Sequence, residues 1–278
     1  MKNTYPTPPP HVIALNQRLT NLAAQGTVNR VKRALAGVVV GQMMPEGAVK
    51  GGTAMKLRLG EDRSRFTPDF DVARRETSDE FTAELGARLA AGWEGFTGRV
   101  VTSRSVSKPP GVPVDYIMKA IDLKLEYRGR SWLTVPMEIG HDELGDTETP
   151  ELRLADDLRD LVVSLGFPAP NPIAVIGIEH QIAQKLHACS EPGSERAHDL
   201  VDLQLLDREF DIDQQKTGDV CRRLFVFRKN HSWPPTVEAG AGWDSLYPAA
   251  AEGLDVLTDV NQAVLWTNQL IADLDART

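Results

Sequence analysis

Several features that define particular classes of protein are scarce or missing in this sequence of 278 residues. It contains only two cysteines, Cys189 and Cys221, whose spacing suits neither a disulfide framework nor a zinc site. We therefore expect free thiols in a reducing compartment, the cytoplasm. No apolar run is long enough to span a bilayer. The N-terminal sequence MKNTYPTPPPHVIAL also lacks the charged and apolar regions of a signal peptide.

Positive charge is also in short supply. The chain has 31 Lys and Arg residues against 39 Asp and Glu residues, which gives a formal net charge of −8. This balance argues against nucleic-acid binding over the whole surface, but it permits a local basic face. The basic residues that cluster early in the chain or near the segment described next are Arg18, Arg30, Lys32, Arg33, Arg58, Arg63, Arg65, Arg74 and Arg75.

Residues 50–71, KGGTAMKLRLGEDRSRFTPDFD, combine a glycine pair with a later pair of aspartates. Gly51 and Gly52 allow a tight turn after a short strand and let the backbone approach a ligand closely. We predict that Thr53 caps the helix that follows. Because free N–H groups at a helix N-terminus attract anions, this turn is a candidate site for the phosphates of a nucleotide.

Asp69 and Asp71 are predicted to lie on the next strand, where residues two apart point to the same face. Two carboxylates on one face suit hard cations such as Mg²⁺. A pair of such ions can clamp the attacking and leaving oxygens of a displacement at phosphorus. The alternative is a surface turn with two solvated aspartates, which the coincidence of so many parts disfavours.

KGGTAMKLR followed by RFTPDFD resembles the signature of the AbiEii nucleotidyltransferase toxins, which include the mycobacterial MenT toxins. In that family a Lys-Gly-Gly/Ser-Thr-Ala-Leu motif precedes an Arg-Phe-Ser-x-Asp-x-Asp motif. Both motifs in order, at a similar spacing, are much more specific than either alone. The resemblance implies nucleotide binding by Gly51, Gly52, Thr53 and Arg65, and metal binding by Asp69 and Asp71.

Residues 178–206, IEHQIAQKLHACSEPGSERAHDLVDLQLL, are similar to the second signature of the same family. That signature is a Glu-x-x-x-Ala-x-Lys-x-x-Ala helix followed by an Arg/Lys-x-Asp-x-x-Asp-Leu helix. The resemblance assigns the catalytic lysine to Lys185, which would also contact the triphosphate, and the later catalytic aspartate to Asp199. Asp199 either orients Lys185 or acts as a base on the acceptor hydroxyl, while Asp202 is better explained as a structural group. His198 is a departure, since the family often has lysine or arginine there.

Two assignments stay open on the sequence alone. Glu138, in the strand sequence VPMEIGHDE, is the best candidate for a third metal-binding carboxylate, but an ordinary strand glutamate facing solvent is equally consistent. The adjacent pair His198 and Asp199 is similar to the His-Asp pair of metal phosphohydrolases, which also need further histidines at fixed positions. His180 and His187, seven residues apart, lack a clear third ligand, so a zinc site has little support.

The pattern predicts an α/β protein: a minimal nucleotidyltransferase core, with a mixed β-sheet flanked by helices, and a mainly helical C-terminal lobe. We place the core with its N-terminal helices at residues 1–150 and the lobe that completes the active-site cleft at residues 151–278. Helices are expected within 11–43 and after Glu76, and strands at 97–106, 116–127 and 132–139, with a loop at 109–113. The lobe should contain helices at 179–189, 196–208, 213–228 and 249–276.

The resemblance implies a Mg²⁺-dependent nucleotidyltransferase toxin of a toxin–antitoxin system, with a two-metal site. It would transfer a nucleotide from an NTP, often a pyrimidine NTP in MenT-like members, to the 3′ end of tRNA and block translation. Its partners would be the tRNA acceptor end and a cognate antitoxin, with no membrane. Two alternatives stay open: transfer to a protein or small-molecule hydroxyl, which the acidic net charge favours, and a catalytically silent partner-binding module. Intact Asp69, Asp71 and Lys185 argue against the silent module.

Overall fold

A mixed seven-stranded sheet organises the N-terminal part of the chain in the computed structural model, which describes residues 4–102 and 118–277. Together with the helices, this sheet confirms the predicted α/β class. The chain divides into two units, Met1–Ile176 and Gly177–Thr278. The predicted loop at 109–113, the end of the strand predicted at 97–106 and the start of that at 116–127 lie outside the described residues.

The sheet unit contains seven strands and five helices among its described residues. Its elements in chain order are α1 Val12–Leu22, α2 Val28–Gln42, β1 Ala48–Lys50, α3 Gly51–Leu59, β2 Phe70–Arg74, α4 Ser78–Ala91, β3 Phe96–Thr102, β4 Lys119–Tyr127, β5 Arg130–His141, β6 Glu151–Arg153, α5 Asp156–Ser164 and β7 Ile173–Val175. The strand order is β3-β4-β5-β2-β1-β7-β6. Strand β2 runs parallel to β5, and β1 runs parallel to β7, while the other neighbours are antiparallel.

Alternation along the central strands separates an apolar face from a polar one. Phe70 and Val72 of β2, and Met137 and Ile139 of β5, are buried in one apolar cluster that also includes residues of α1, α2, α4 and α5. Burying each such side chain contributes roughly 1.5–3 kcal/mol. The residues between them therefore point to the opposite face, because successive side chains on a strand alternate.

Threonine precedes both α4 and α2, but the two hydroxyls bond differently. Thr77 caps α4: its side chain accepts from the backbone N–H of Glu80, and Glu80 accepts in return from Thr77. Thr27 stands at the N-cap of α2, but its hydroxyl donates to the carbonyl of Ala24 at 2.8 Å. The Thr77 hydroxyl therefore bonds within the first turn of its helix, whereas the Thr27 hydroxyl bonds back to the preceding turn.

The second unit is helical. Its elements are α6 Ile178–Ser190, α7 Ala197–Glu209, α8 Gln214–Arg228, α9 Trp243–Ala251 and α10 Val260–Ala276. The single helix predicted at 249–276 is wrong, because α9 ends at Ala251 and α10 begins after Asp259. The Asp259 side chain accepts from the backbone N–H of Gln262 at 2.9 Å, so the second helix has its own cap.

The division between the units falls 26 residues after the boundary placed at residue 150, at Ile176–Gly177. Residues 151–176, assigned from sequence to the helical lobe, supply β6, α5 and β7 to the sheet unit. The reason is long-range pairing: Val175 of β7 lies in register with Val49 of β1, and β6 pairs with β7. No helix among the described residues is long and apolar enough to cross a membrane.

Candidate functional site

The glycine turn and the second aspartate of the Asp-x-Asp pair are in direct contact. Gly51 begins α3 with φ +62°, a conformation that side-chain-bearing residues rarely adopt. A Cβ on Gly51 would lie 2.0 Å from Asp71 Oδ2, which is an impossible separation. Glycine is therefore required at position 51 for two independent reasons, and it brings the Asp71 carboxylate to the N-terminus of α3.

Thr53 holds the first aspartate rather than capping the helix, which corrects the sequence expectation. The N-cap residue is Lys50, because the positive φ of Gly51 lets the helix begin three residues earlier than expected. Thr53 is 6% exposed, and its hydroxyl donates to the backbone carbonyl of Asp69 at 2.7 Å. Gly52 lies beside Thr67, whose Oγ1 would be 2.7 Å from a Cβ on Gly52. This end of α3 is thus bonded to the segment that leads into β2.

Asp71 and Glu138 are neighbours on the two parallel strands at the centre of the sheet. They pair in register, so both side chains point to the face opposite the apolar cluster, and both residues are half-buried. Neighbouring strands are about 4.8 Å apart, which brings the two carboxylates within reach of one ion. Asp69 lies one residue before β2 begins, so only Asp71 of the pair is on the strand.

The donor set at this face suits Mg²⁺. Mg²⁺ usually keeps several waters and binds through one or two protein carboxylates plus substrate phosphates. Asp71 and Glu138 provide that number, and Asp69 precedes them on the same segment. Within the described residues no three acidic, imidazole or thiol groups already converge on one point. The site therefore resembles a magnesium site in which phosphates of the nucleotide complete the ligand set. It does not resemble a site formed by protein ligands alone.

Lys50, to which sequence reasoning gave no role, lies on the same face. It pairs in register with Asp71 across β1 and β2. A Cβ on Gly140 of β5 would lie 2.7 Å from Lys50 Nζ, so the lysine side chain reaches across β2 to the space above Gly140. Its position at the head of the KGGT sequence was the available signal.

A second carboxylate pair follows β5. Asp146 is 2% exposed, and burial together with a hydrogen bond to Asp142 raises the pKa of its carboxyl to about 8, although the charge of Lys50 acts in the opposite direction. Burial also tends to raise the pKa of Asp142, but hydrogen bonds from Asp146, Thr147 and Gly145 lower it overall. At neutral pH the Asp146 carboxyl is therefore protonated and donates to the Asp142 carboxylate.

Arg65 lies in the segment between α3 and β2. It is half-buried, and its charge acts on Lys56, whose pKa is lowered mainly by burial. Lys56 Nζ is paired with Glu61 Oε2 at 2.6 Å. The predicted nucleotide-binding arginine is thus placed beside a buried ion pair of the same unit, and its role in nucleotide binding stays a prediction.

The helical unit brings together Lys185, Asp199 and Asp202. Lys185 of α6 is 4% exposed, and its Nζ donates to Asp199 Oδ1 at 2.8 Å and to Asp202 Oδ2 at 2.5 Å, both on α7. Arg196 Nε donates to Asp199 Oδ2 at 2.9 Å. His198 Nε2 lies 3.8 Å from Asp199 Oδ1. The contact of Asp202 fits the structural role expected of it.

Asp199 is ionised in this setting. Burial alone would raise the pKa of its carboxyl, but the charges of Lys185, Arg196 and His198 outweigh burial and hold the pKa well below its usual range. A carboxylate with so low an affinity for protons is a weak general base. Of the two roles open for Asp199, orientation of Lys185 is therefore the better supported.

A family model and several solved structures match this chain. The family model described as nucleotidyl transferase AbiEii toxin, type IV toxin–antitoxin system, matches residues 33–269. Among solved structures, MenT4, a nucleotidyltransferase toxin from Mycobacterium tuberculosis H37Rv, aligns with a TM-score of 0.55 at 16% identity, covering 94% of this chain and 98% of that one. A proposed nucleotidyltransferase from H. pylori aligns with a TM-score of 0.50 at 16% identity, covering 92% and 97%. At this identity the structural likeness concerns the fold. No curated protein matches significantly.

Proposed function

This chain belongs to the AbiEii family of nucleotidyltransferase toxins of type IV toxin–antitoxin systems, and within it we propose a Mg²⁺-dependent transfer from an NTP to the 3′ end of tRNA. Nucleotidyl transfer and the toxin role come with the family. The metal, the donor nucleotide, the RNA acceptor and the resulting block of translation are our proposal. A cognate antitoxin is implied by the type of system.

The observation that carries the proposal is the Asp71 carboxylate at the N-terminus of α3, in register with Glu138. A phosphate bound at this helix terminus would meet an aspartate that already occupies it. The phosphate and the Asp71 carboxylate can both lie at this helix terminus only with a cation between them. Without it, the repulsion between the two negative charges in a partly buried site costs several kcal/mol. The arrangement therefore favours a nucleotide that arrives with its metal.

We assign the chain's residues as follows. Asp71 and Glu138, with Asp69, would hold Mg²⁺, and Thr53 would position Asp69. Backbone N–H groups at the start of α3, at Gly51 and Gly52, would bind phosphate oxygens.

Lys185, oriented by Asp199, would neutralise negative charge on the triphosphate, with Arg65 as a second cation. Bound Mg²⁺ would stabilise the charge that develops on the transferred group and on the pyrophosphate as it leaves.

The RNA acceptor has weaker support than the transfer chemistry. Two of the clustered basic residues are internal: Arg58 is bonded to Glu151 at 2.8 and 3.0 Å, and Arg74 is 0% exposed. Arg30, whose side chain is 37% exposed, is paired with Glu61 at 2.9 Å. Arg63 and Arg75 are exposed, but Arg63 Nε donates to the carbonyl of Leu59 at 3.1 Å and Arg75 Nε donates to Thr147 Oγ1 at 3.1 Å. Transfer to a protein or a small-molecule hydroxyl is therefore the second candidate function.

A labelling experiment tests the proposal. The purified protein is incubated with Mg²⁺, total tRNA and each α-³²P NTP separately. Asp71→Asn serves as the inactive variant, because it keeps the side-chain size beside Gly51. Asp79→Asn is the matched control, because the Asp79 side chain is 95% exposed and lies outside the site. We expect label on tRNA from one NTP with wild type and Asp79→Asn, and a loss of at least a hundredfold with Asp71→Asn.

The other outcomes separate the alternatives. Label on protein or on a small molecule, and none on tRNA, would keep the chemistry and discard the acceptor. Label on tRNA that persists in Asp71→Asn would remove Asp71 from the site. A separate experiment measures NTP binding by calorimetry. The protein is first treated with EDTA, and the titration is then repeated after Mg²⁺ or Ca²⁺ is added. Binding of the NTP that does not depend on a divalent cation would contradict the metal assignment.

A further inference from the structure

A groove of about 630 Å³ lies in the helical unit, at the C-terminal end of α8. Its lining residues come from α8, the segment after it and the end of α10, and they include Phe225, Val226, Lys229, His231, Trp233 and Asp275. A volume of this size suits a small ligand or one or two units of a polymer. None of these residues belongs to the carboxylate site or to the Lys185 cluster.

Aromatic rings form one wall of the groove. Trp233 contacts Phe225 edge-on, with ring centroids 5.3 Å apart, and Phe225 contacts His231 with centroids 4.9 Å apart. The indole Nε1 of Trp233 donates to Asp275 Oδ1 at 2.9 Å, which fixes the direction of the ring. Burial lowers the pKa of His231, against the charge of Glu191, so this ring is neutral at pH 7. The half-buried Trp233 is thus held in place before any ligand binds.

Positive charge is concentrated beside this wall. Residues 222–229, RRLFVFRK, contain four basic residues and no acidic one, within a unit that has nine basic and seventeen acidic residues. Arg223 and Lys229 are exposed. Val226 is 74% exposed and Phe227 38% exposed, so apolar surface lies between the charges. A local basic stretch in an acidic unit suits an anionic partner.

We propose that this groove binds single-stranded nucleic acid, with a base against Trp233 and a backbone phosphate beside Lys229. Aromatic platforms combined with basic side chains are the usual means of holding single strands without reading their sequence, because every base has a stacking face and every linkage a charge. The inference deepens the proposed function, on which its biological meaning rests: the strand would be the unpaired part of the RNA acceptor. An acidic segment of a protein partner would satisfy the charges but would leave the ring at Trp233 without a planar partner.

The test measures binding without catalysis. Full-length protein without NTP is titrated into a fluorescein-labelled ten-nucleotide single-stranded RNA, and anisotropy is recorded at 50 and 200 mM NaCl. We expect Trp233→Ala to raise Kd about five- to a hundredfold, the range that one lost stacking contact gives. Trp233→Phe should stay within about twofold of wild type because it keeps a ring. Lys229→Gln should raise Kd and flatten the salt dependence.

Two matched controls lie outside the groove. Lys216→Gln removes the same charge from the first turn of α8, where Lys216 pairs with Glu179 at 2.8 Å, and Trp266→Ala removes a half-buried indole from α10. Both should bind RNA like wild type. Thermal melts confirm that each variant folds. Should Trp233→Ala unfold, Lys229→Gln still tests the groove, because Lys229 is exposed and its substitution leaves the packing intact.

The inference is overturned when Trp233→Ala and Lys229→Gln bind RNA as the controls do. It is also overturned when a ten-residue glutamate-rich peptide binds more tightly than RNA and displaces it, which would make the groove a protein-docking site. Its failure is distinct from that of the proposed function. Labelling of tRNA with no groove dependence removes only the inference, whereas RNA binding at the groove without labelling removes only the proposed acceptor reaction.

Discussion

At the scale of single residues, Gly51 is the position where the least change should have the largest effect. We predict that Gly51→Ala abolishes nucleotidyl transfer and lowers the free energy of unfolding by about 1–3 kcal/mol, because alanine is strained at positive φ and its Cβ would collide with Asp71. Gly86→Ala in α4 is the control, since nothing lies within 4 Å of its Cβ position. That change should leave activity intact and raise stability by up to about 1 kcal/mol. Urea unfolding measures the stability of each variant, and the labelling assay measures its activity. A fully active Gly51→Ala enzyme would contradict the assignment of Gly51 and Asp71 to the nucleotide site.

Asp146 gives a prediction about pH. Its pKa is about 8 in the folded protein, against about 3.9 for an unfolded aspartate, so the folded state binds the extra proton between these values. The stability contributed by this group is therefore complete below about pH 4 and is lost as pH rises towards 8. Asp146→Asn, which can still donate to Asp142, should remove this loss. We expect the variant to be about as stable as wild type at pH 5 and more stable by roughly 4 kcal/mol at pH 8.5.

The measurement for Asp146 is urea unfolding at several pH values, with Asp79→Asn as an exposed carboxylate control. The difference between Asp146→Asn and wild type should grow with pH. A difference that is constant or shrinks with pH would show that Asp146 is ionised in the folded protein, and the shared proton with Asp142 would then be wrong.

At the scale of elements, α6 and α7 are joined by the buried contacts of Lys185. Lys185→Met leaves Asp199 and Asp202 buried without that cation, although Asp199 keeps Arg196 at 2.9 Å. Removing one partner of a buried ion pair typically costs about 3–5 kcal/mol. We predict a loss of that size, and partial recovery in Lys185→Met/Asp202→Leu, because the second change removes one of the two buried carboxylates that Lys185 neutralises.

Enzyme activity distinguishes a structural role of Lys185 from a role in nucleotidyl transfer. The double variant should regain stability yet remain inactive, if Lys185 acts on the triphosphate as proposed. Chemical unfolding and the tRNA-labelling assay are run on the same preparations. An active double variant would leave Lys185 as a purely structural group that connects α6 to α7.

At the scale of the whole molecule, charge is divided unevenly. The sheet unit has 22 acidic and 22 basic residues, while the helical unit has 17 acidic and nine basic ones. An acidic protein that contacts RNA through a few cations should show a moderate salt dependence. We predict that kcat/KM for tRNA falls about tenfold between 50 and 200 mM NaCl, as expected for roughly two neutralised phosphates. A rate that does not change with salt would favour the small-molecule acceptor.

The sequence by itself determined the features that depend on local chemistry. The KGGT and Asp-x-Asp stretch, the Lys185 and Asp199 helices and most helix positions follow from residue type and spacing over short distances. The family signatures, confirmed by the family model, added the reaction class. The same local reasoning failed where two helices follow one another, because the break between α9 and α10 depends on the Asp259 cap and not on apolar spacing.

Only the tertiary structure decided which of these residues meet. The register of β2 against β5 places Asp71 beside Glu138, and the pairing of β7 with β1 carries residues 151–176 into the sheet unit. The contact of Gly51 with Asp71, the reach of Lys50 to Gly140 and the hydrogen bond of Trp233 to Asp275 likewise join residues that are distant in the chain. Strand register and side-chain packing are set by many long-range contacts acting together. Local sequence patterns do not reveal the combined effect of those contacts.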